Sequence, residues 1–233
     1  RLRNYTTWSR DEDGKDKWDS VYTYAQRAIV PLKAQMTLGD STAPADVFDS
    51  MPFRGAQLAS DDDMQPDSLK GYAPVVRGIA RTNAQVIVRQ NGYEIYQTYV
   101  APGAFEITDM YPTGGAGDLQ VTIKEADGSI QQFTVPYASL PVLQREGRFK
   151  YAVTGGQYRS YNGSVDKTPF AQITGIYGLP YGLTAYGGGQ TSSHYQSIAA
   201  GMGKNMGDLG AVSVDVIQAW SSPQNLPSDS GQS

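Results

Sequence analysis

The chain has 233 residues, enough for one large or two small domains, and no cysteine, which excludes a disulfide framework and any thiolate site. A formal net charge of -4 with 18% charged residues gives no electrostatic reason to expect nucleic acid or an anionic membrane surface as partner. Only 39% of residues are hydrophobic, yet there are 26 glycines and 16 tyrosines, a balance that suits outer-membrane barrel strands with lipid on one face and water on the other.

Arg1 to Arg10 reads as a strand, with Leu2, Tyr5 and Trp8 among polar neighbours, and Asp11-Glu12-Asp13-Gly14 as a charged turn. Trp18 to Leu32 is a longer extended segment in which Trp18, Tyr22 and Tyr24 share a parity. Ala34 to Leu38 and Val47 to Leu58 are further strands, separated by a turn over Gly39 to Pro44. Ser60 to Asp67 is a polar loop, and Tyr72 to Ile79 resumes an extended path. No stretch shows helical periodicity or a run of ~18 apolar residues, so no transmembrane helix is expected.

From Ala84 to Pro141 the texture changes to that of a compact soluble β module. Ala84 to Gln90 and Tyr93 to Val100 flank Asn91-Gly92; Leu119 to Glu125 and Ser129 to Val135 flank Asp127-Gly128. Such dipeptides suit the positive φ angles of tight hairpin turns. Val86 and Val88 alternate with Gln85 and Arg89, and Leu119, Val121 and Ile123 with Gln120, Thr122 and Lys124. Two hairpins with one apolar face each predict a small β-sandwich, linked through Pro102-Gly103 and Gly114-Gly115.

After Pro141 the thin pattern returns. Phe149, Tyr151 and Val153 share one parity, and Val212, Val214 and Val216 another run. Phe170 to Leu179, Leu183 to Gln190 and Tyr195 to Lys204 lie between, with turns at Tyr161-Asn162-Gly163-Ser164, Pro180-Tyr181-Gly182 and Asn205-Met206-Gly207-Asp208. This is an up-and-down meander of ~10-residue strands, as in a lipid-facing barrel wall. Strand glycines such as Gly175, Gly187, Gly188, Gly189, Gly201 and Gly203 permit bending and close approach by whatever lies inside.

Several segments together carry a family resemblance. They include Val47-Phe48-Asp49-Ser50, Phe53-Arg54-Gly55, Leu58-Ala59-Ser60-Asp61-Asp62 and Gly71-Tyr72-Ala73-Pro74. They continue with Val88-Arg89-Gln90-Asn91-Gly92, Ala101-Pro102-Gly103-Ala104-Phe105, Leu143-Gln144-Arg145-Glu146-Gly147 and Gly203-Lys204-Asn205-Met206-Gly207. Collinear and nearly end to end, they resemble the outer-membrane ushers of the bacterial chaperone–usher pathway.

The resemblance implies an all-β fold: part of an antiparallel transmembrane β-barrel wall with an inserted β-sandwich plug domain. It implies first barrel strands and an inward-folding hairpin over residues 1–79, the plug over 80–141, and further strands over 142–233. Gln57 to Ala73 resembles the hairpin that holds the plug. The residues outside the plug suffice for only ~10 strands, so the barrel is expected to be incomplete. The implied function is gated secretion of pilus subunits, with periplasmic chaperone–subunit complexes, the growing pilus fibre and outer-membrane lipid as partners. A usher dimer is a further possible partner, and no cofactor is implied.

Candidate functional residues follow from charge and position. Asp61, Asp62 and Asp63 are read first as a solvated loop, and second as a latch onto plug arginines such as Arg81 or Arg89. They lack the spacing of an EF-hand loop. Arg77, Arg81, Arg145 and Arg148 sit at the junctions of plug and wall, where pairing with lumen carboxylates is weighed against hydration. Trp8, Trp18, Tyr22 and Tyr24 are divided between interfacial girdles and the lumen. His194 is the lone histidine, with no supporting spacing for catalysis. Two rival readings are a soluble β-rich adhesin and a barrel hydrolase; thinly apolar strands oppose the first, and the lack of a nucleophile constellation opposes the second.

Overall fold

Period-two patterning becomes two faces once the strands pair. The computed structural model describes residues 1–11, 14–66, 69–113, 117–138, 143–159, 165–193, 195–221 and 229–232. His194, the Asn162-Gly163-Ser164 turn, the Gly114-Gly115 link and the Pro141 edge lie outside them. The strands are β1 (Leu2–Arg10), β2 (Asp16–Ile29), β3 (Ala34–Thr42), β4 (Pro52–Ser60), β5 (Val76–Ala80), β6 (Ala84–Gln90), β7 (Tyr93–Val100) and β8 (Gly103–Ile107). They continue with β9 (Leu119–Lys124), β10 (Ile130–Val135), β11 (Phe149–Arg159), β12 (Val165–Gly178), β13 (Leu183–Ser192), β14 (Tyr195–Asn205), β15 (Ala211–Ser221) and β16 (Asp229–Gln232). Ten of them form one antiparallel sheet in the order β1-β2-β3-β4-β11-β12-β13-β14-β15-β16. β4 pairs directly with β11, so the strands β5–β10 are an insertion between two neighbouring wall strands.

Register sorts the wall residues into alternating rows. Gln26, Thr37, Gln57, Thr154, Gln172, Gln190 and Ser197 face one another in turn across β2, β3, β4, β11, β12, β13 and β14. One residue along, Met36, Leu58, Val153, Ile173, Gly189 and Ile198 do the same. Directly paired residues share a face, so across these strands one face carries a belt of uncharged amides and hydroxyls and the other is apolar from Met36 to Ile198, with Arg27 beside Met36 at its β2 end. Val153, Ile173, Ile198, Val212, Val214 and Val216 are all exposed on the apolar face. This alternation of an apolar and a polar face is that of a transmembrane barrel wall.

Aromatic residues divide between the faces. Trp8 stands opposite Trp18, whereas a register shift after Tyr5 turns the run around and lets Tyr5, Tyr22 and Tyr24 stack in sequence. Phe149, Tyr151 and Tyr177 cluster on the apolar face. Gly39, Gly55 and Gly156 lie in one register row across β3, β4 and β11. A side chain there would collide with the backbone carbonyls of Thr23, Gly155 and Arg54 respectively, so the row lets three strands close up and twist. Beside it the nearly buried Asp40 carboxylate takes Arg54 at 2.6 Å and Arg159 at 2.9 Å.

The connection between β3 and β4 folds over the polar face. Asp46 reaches Lys150 at 3.0 Å, and the Phe48 ring lies against Gly188, where a Cβ would stand 3.0 Å from it. Ala43, Phe53 and Phe170 form a small core with Met51 at its base. The inward-folding segment is therefore residues 43–51. The expectation that Gln57 to Ala73 forms this hairpin is corrected: Gln57 belongs to β4, paired on both sides with β3 and β11, and cannot leave the wall. The strand expected from Val47 accordingly begins only at Pro52.

The inserted module is a sandwich of a four-stranded sheet, β10-β9-β6-β7, and the pair β5-β8. Asn91 and Gly92 both take positive φ, 51° and 84°, as a two-residue hairpin turn requires. At Asp127-Gly128 only the glycine does, and Asp127 instead accepts from the Ser129 N–H and hydroxyl at 2.9 and 2.6 Å. Val76, Val86, Val88, Leu119, Val121 and Ile123 fill the core. Glu125 accepts from the backbone N–H groups of Arg81 and Thr82 and from the Thr82 hydroxyl; these bonds, Arg81's first, hold its carboxyl below the usual range.

The core reaches beyond residues 80–141, because Tyr72, Ala73, Val76 and Leu143 are buried in it. Cutting at Arg81 removes β5 and strips β8 of its only partner among the described residues. A fragment of residues 71–145 is therefore expected to be soluble and to unfold cooperatively at a clearly higher temperature than one of residues 81–141. Circular dichroism melting of the two fragments checks this; equal midpoints would mean that β5 adds nothing to the fold.

Candidate functional site

The module meets the wall at one end of its strands. β12 and β14 both run toward the end where β4 leaves for the module, so the connections 179–182 and 206–210 lie at that same rim. Asn205, the last residue of β14, is 6% exposed. Its Nδ2 donates to the Tyr72 hydroxyl at 3.2 Å and the Pro136 carbonyl at 2.8 Å. Its Oδ1 accepts from the Ala138 N–H at 2.6 Å and the Gly207 N–H at 3.1 Å. All four hydrogen-bonding positions of the amide are thus used, three of them by the module. Burial pushes the Tyr72 phenol above its ordinary value, which keeps it neutral and able to accept the Asn205 bond.

Neighbouring contacts complete the seat. Thr184 Oγ1 accepts from the Gln144 N–H at 3.1 Å. Ala211 packs on the module core, and a Cβ at Gly182 would stand 3.1 Å from the Tyr72 hydroxyl. Tyr72 stacks on Tyr137, whose hydroxyl accepts from the Thr113 N–H at 3.1 Å. Sequence reasoning places Asn205 only in a turn and does not single out Thr184; the one signal was the Gly203-Lys204-Asn205-Met206-Gly207 motif.

The arginines of the junctions have partners of a different kind from lumen carboxylates. Arg145 is buried and donates to the carbonyls of Gly71 at 2.9 Å, Thr108 at 3.3 Å and Met110 at 2.7 Å. Burial, then the charge of Arg148, pulls its guanidinium below the ordinary value. Arg148 donates to the Leu69 carbonyl at 2.6 Å and pairs with Asp62 at 3.0 Å, fastening the two linkers of the module to each other. Arg77 bridges Glu106 at 3.0 Å and Glu146 at 2.7 Å. These partners belong to the module and its linkers because the junction lies at the ends of the wall strands, beyond the paired rows.

The three aspartates separate in role. Asp61 accepts from the Asp63 N–H and starts a short 3-10 turn, Asp62 takes Arg148, and Asp63 takes Lys70 at 3.3 Å. Arg81 and Arg89 are not their partners: the Arg81 backbone is held by Glu125, and Arg89 is carried on β6 opposite Glu94 and Gln120. Such exposed pairs contribute only ~0–1 kcal/mol each. Among the described residues no group of three or more acidic or histidine side chains converges as a metal site requires.

The polar belt is the other functional surface. Thr37, Gln57, Thr154, Gln172 and Ser197 are buried, and Gln57 Oε1, Gln172 Oε1 and Ser197 Oγ have no hydrogen-bond partner among the described residues. These oxygens are shielded within the belt, and none of its seven residues carries a charge.

The family model described as outer membrane usher protein matches residues 1–233. The outer membrane usher protein LpfC of Salmonella typhimurium is 54% identical over 233 residues, which are 100% of this chain and 28% of that protein. FimD of Escherichia coli is 55% identical over 235 residues, 99% of this chain and 26% of its own length. The chain thus spans little more than a quarter of these curated relatives. Among solved structures, a chain of the cryo-EM E. coli P pilus tip assembly intermediate PapC-PapD-PapK-PapG, in its second conformation, matches with a TM-score of 0.66 at 33% identity, over 99% of this chain and 29% of that one. The P pilus usher PapC translocation pore matches with a TM-score of 0.52 at 31% identity, over 99% of this chain and 51% of that one.

Proposed function

This chain belongs to the outer membrane usher family, and on that premise we propose that it supplies part of an outer-membrane secretion pore together with the module that gates it. The observation that carries this reading is the direct pairing of β4 with β11. The wall is continuous without the module, and the module has its own core. It can therefore move as a body on its two linkers without breaking a wall hydrogen bond. In this reading the gate comprises residues 72–143 and the flanking strands are wall.

The cargo is chaperone-delivered pilus subunits and the growing fibre, passing a channel lined by the uncharged belt. No step is catalytic; transport is driven by exchange of strands between subunits. The apolar face meets outer-membrane lipid, and two such ushers can associate as a dimer. A soluble adhesin would have to hide Val153, Ile173, Ile198 and Val214, which stand exposed on one face.

Deleting residues 72–143 and joining the ends with a short flexible linker, in the usher that carries this chain, is expected to raise single-channel conductance in planar bilayers several-fold. Conductance equal to that of the intact protein would end the gating reading.

A further inference from the structure

We propose that the turn after β14 is a socket that holds the module at the rim, outside the channel, and that Asn205 governs how long the module stays there. The inference rests on the gating reading above and adds to it the residues that stabilise the open arrangement. Three of the four hydrogen bonds of Asn205 exist only while the module is docked. The fourth, from the Gly207 N–H, is made within the wall and orients the amide beforehand.

Gly207 is shaped for the same contact. A Cβ there would lie 2.5 Å from the Asp118 carboxylate and 2.8 Å from the Pro136 side chain, both of the module. Only a residue without a side chain lets the module approach this closely. Gly182 and Thr184 on the neighbouring strand connection extend the socket with one bare position and one hydroxyl acceptor. Polar groups at a rim regain water when the module leaves, so the contact is made and broken at modest cost, as a two-position gate needs.

Among the described residues, the module touches the wall at the strand ends, at Thr184, Asn205, Gly207 and Ala211, which is where a gate that clears the channel would rest.

The test uses the usher that carries this chain, reconstituted in planar bilayers, with the fraction of time at high conductance as readout. Asn205→Ala removes the docked hydrogen bonds, and loss of these three neutral bonds changes populations by on the order of tenfold or more. The high-conductance fraction should fall by about that factor. Gly207→Ala keeps the amide but sets a methyl against Pro136, and should act in the same direction. Gly128→Ala is the control: it has a positive φ of 82° like the 64° of Gly207, but a Cβ there meets nothing within 4 Å, and it lies in the β9–β10 hairpin turn at the other end of those strands from Asp118 and Pro136. Its gating should stay as in the parent.

An unchanged high-conductance fraction in both Asn205→Ala and Gly207→Ala overturns the socket, as does an equal effect of Gly128→Ala. Should Asn205→Ala fail to insert, the contrast between Gly207→Ala and Gly128→Ala decides. If removing residues 72–143 raises conductance while the socket variants do nothing, the gate stands and the socket falls; if the deletion has no effect, both fall.

Discussion

Replacing Ile173 with arginine is expected to lower the stability of the membrane-embedded wall by about 2–4 kcal/mol. Ile173 is 58% exposed, stands in the middle of β12 and faces the same way as Val153 and Ile198. A guanidinium there meets hydrocarbon, with no partner in reach on that face. Ser213→Arg, on the water-facing side of β15 between the exposed Val212 and Val214, should change stability by less than ~1 kcal/mol. Denaturant unfolding of the usher in phospholipid vesicles measures both. Equal costs for the two variants would mean that the apolar row does not face lipid.

The second large effect is expected at Arg145. Replacement by alanine in the 71–145 fragment should cost about 3 kcal/mol or more, because charge-assisted bonds to three carbonyls, that of the buried Met110 among them, disappear together. The carbonyls of Gly71, Thr108 and Met110 come from different stretches of the module and are satisfied by this one side chain. Arg145→Lys keeps the charge and the stem but not the planar fork, and should recover less than half of the loss. Urea unfolding of the three fragments checks this. A cost below about 1 kcal/mol for alanine would mean that water replaces the arginine without penalty.

The two predictions separate the parts of this protein by solvent. In the secretion-pore reading the wall answers to the bilayer: its apolar row is exposed, and its polar row, from Gln26 to Ser197, carries no formal charge. The module answers to water and folds around Val76, Val86, Val121 and Ile123. Between them the seat is made of single hydrogen bonds and bare glycines. That composition favours release over permanence.

Much of this was legible in the residues themselves. Alternation in Phe149, Tyr151 and Val153, and in Val212, Val214 and Val216, marks a wall with one apolar face, because strand geometry alone puts every second side chain on one side. Asn91-Gly92 and the clean alternation of β6 and β9 mark a separate sandwich, because turn chemistry and local pairing are short-range. The positions of the arginines were legible, but their partners were not. Asp62 meets Arg148 across 86 residues, and Asn205 meets Tyr72 across 133. No local pattern encodes contacts of that span; they exist only once β4 and β11 close on each other and bring both linkers to the rim. The inward segment was misassigned for a similar reason. Residues 43–51 and 57–73 are both polar and turn-rich, and only the pairing of Gln57 with Thr37 and Thr154 shows which of them is free to fold inside. The sequence by itself thus determined the wall, the module and the family; the tertiary structure decided where the module rests and which residues hold it there, because docking joins groups whose separation along the chain leaves no periodic trace.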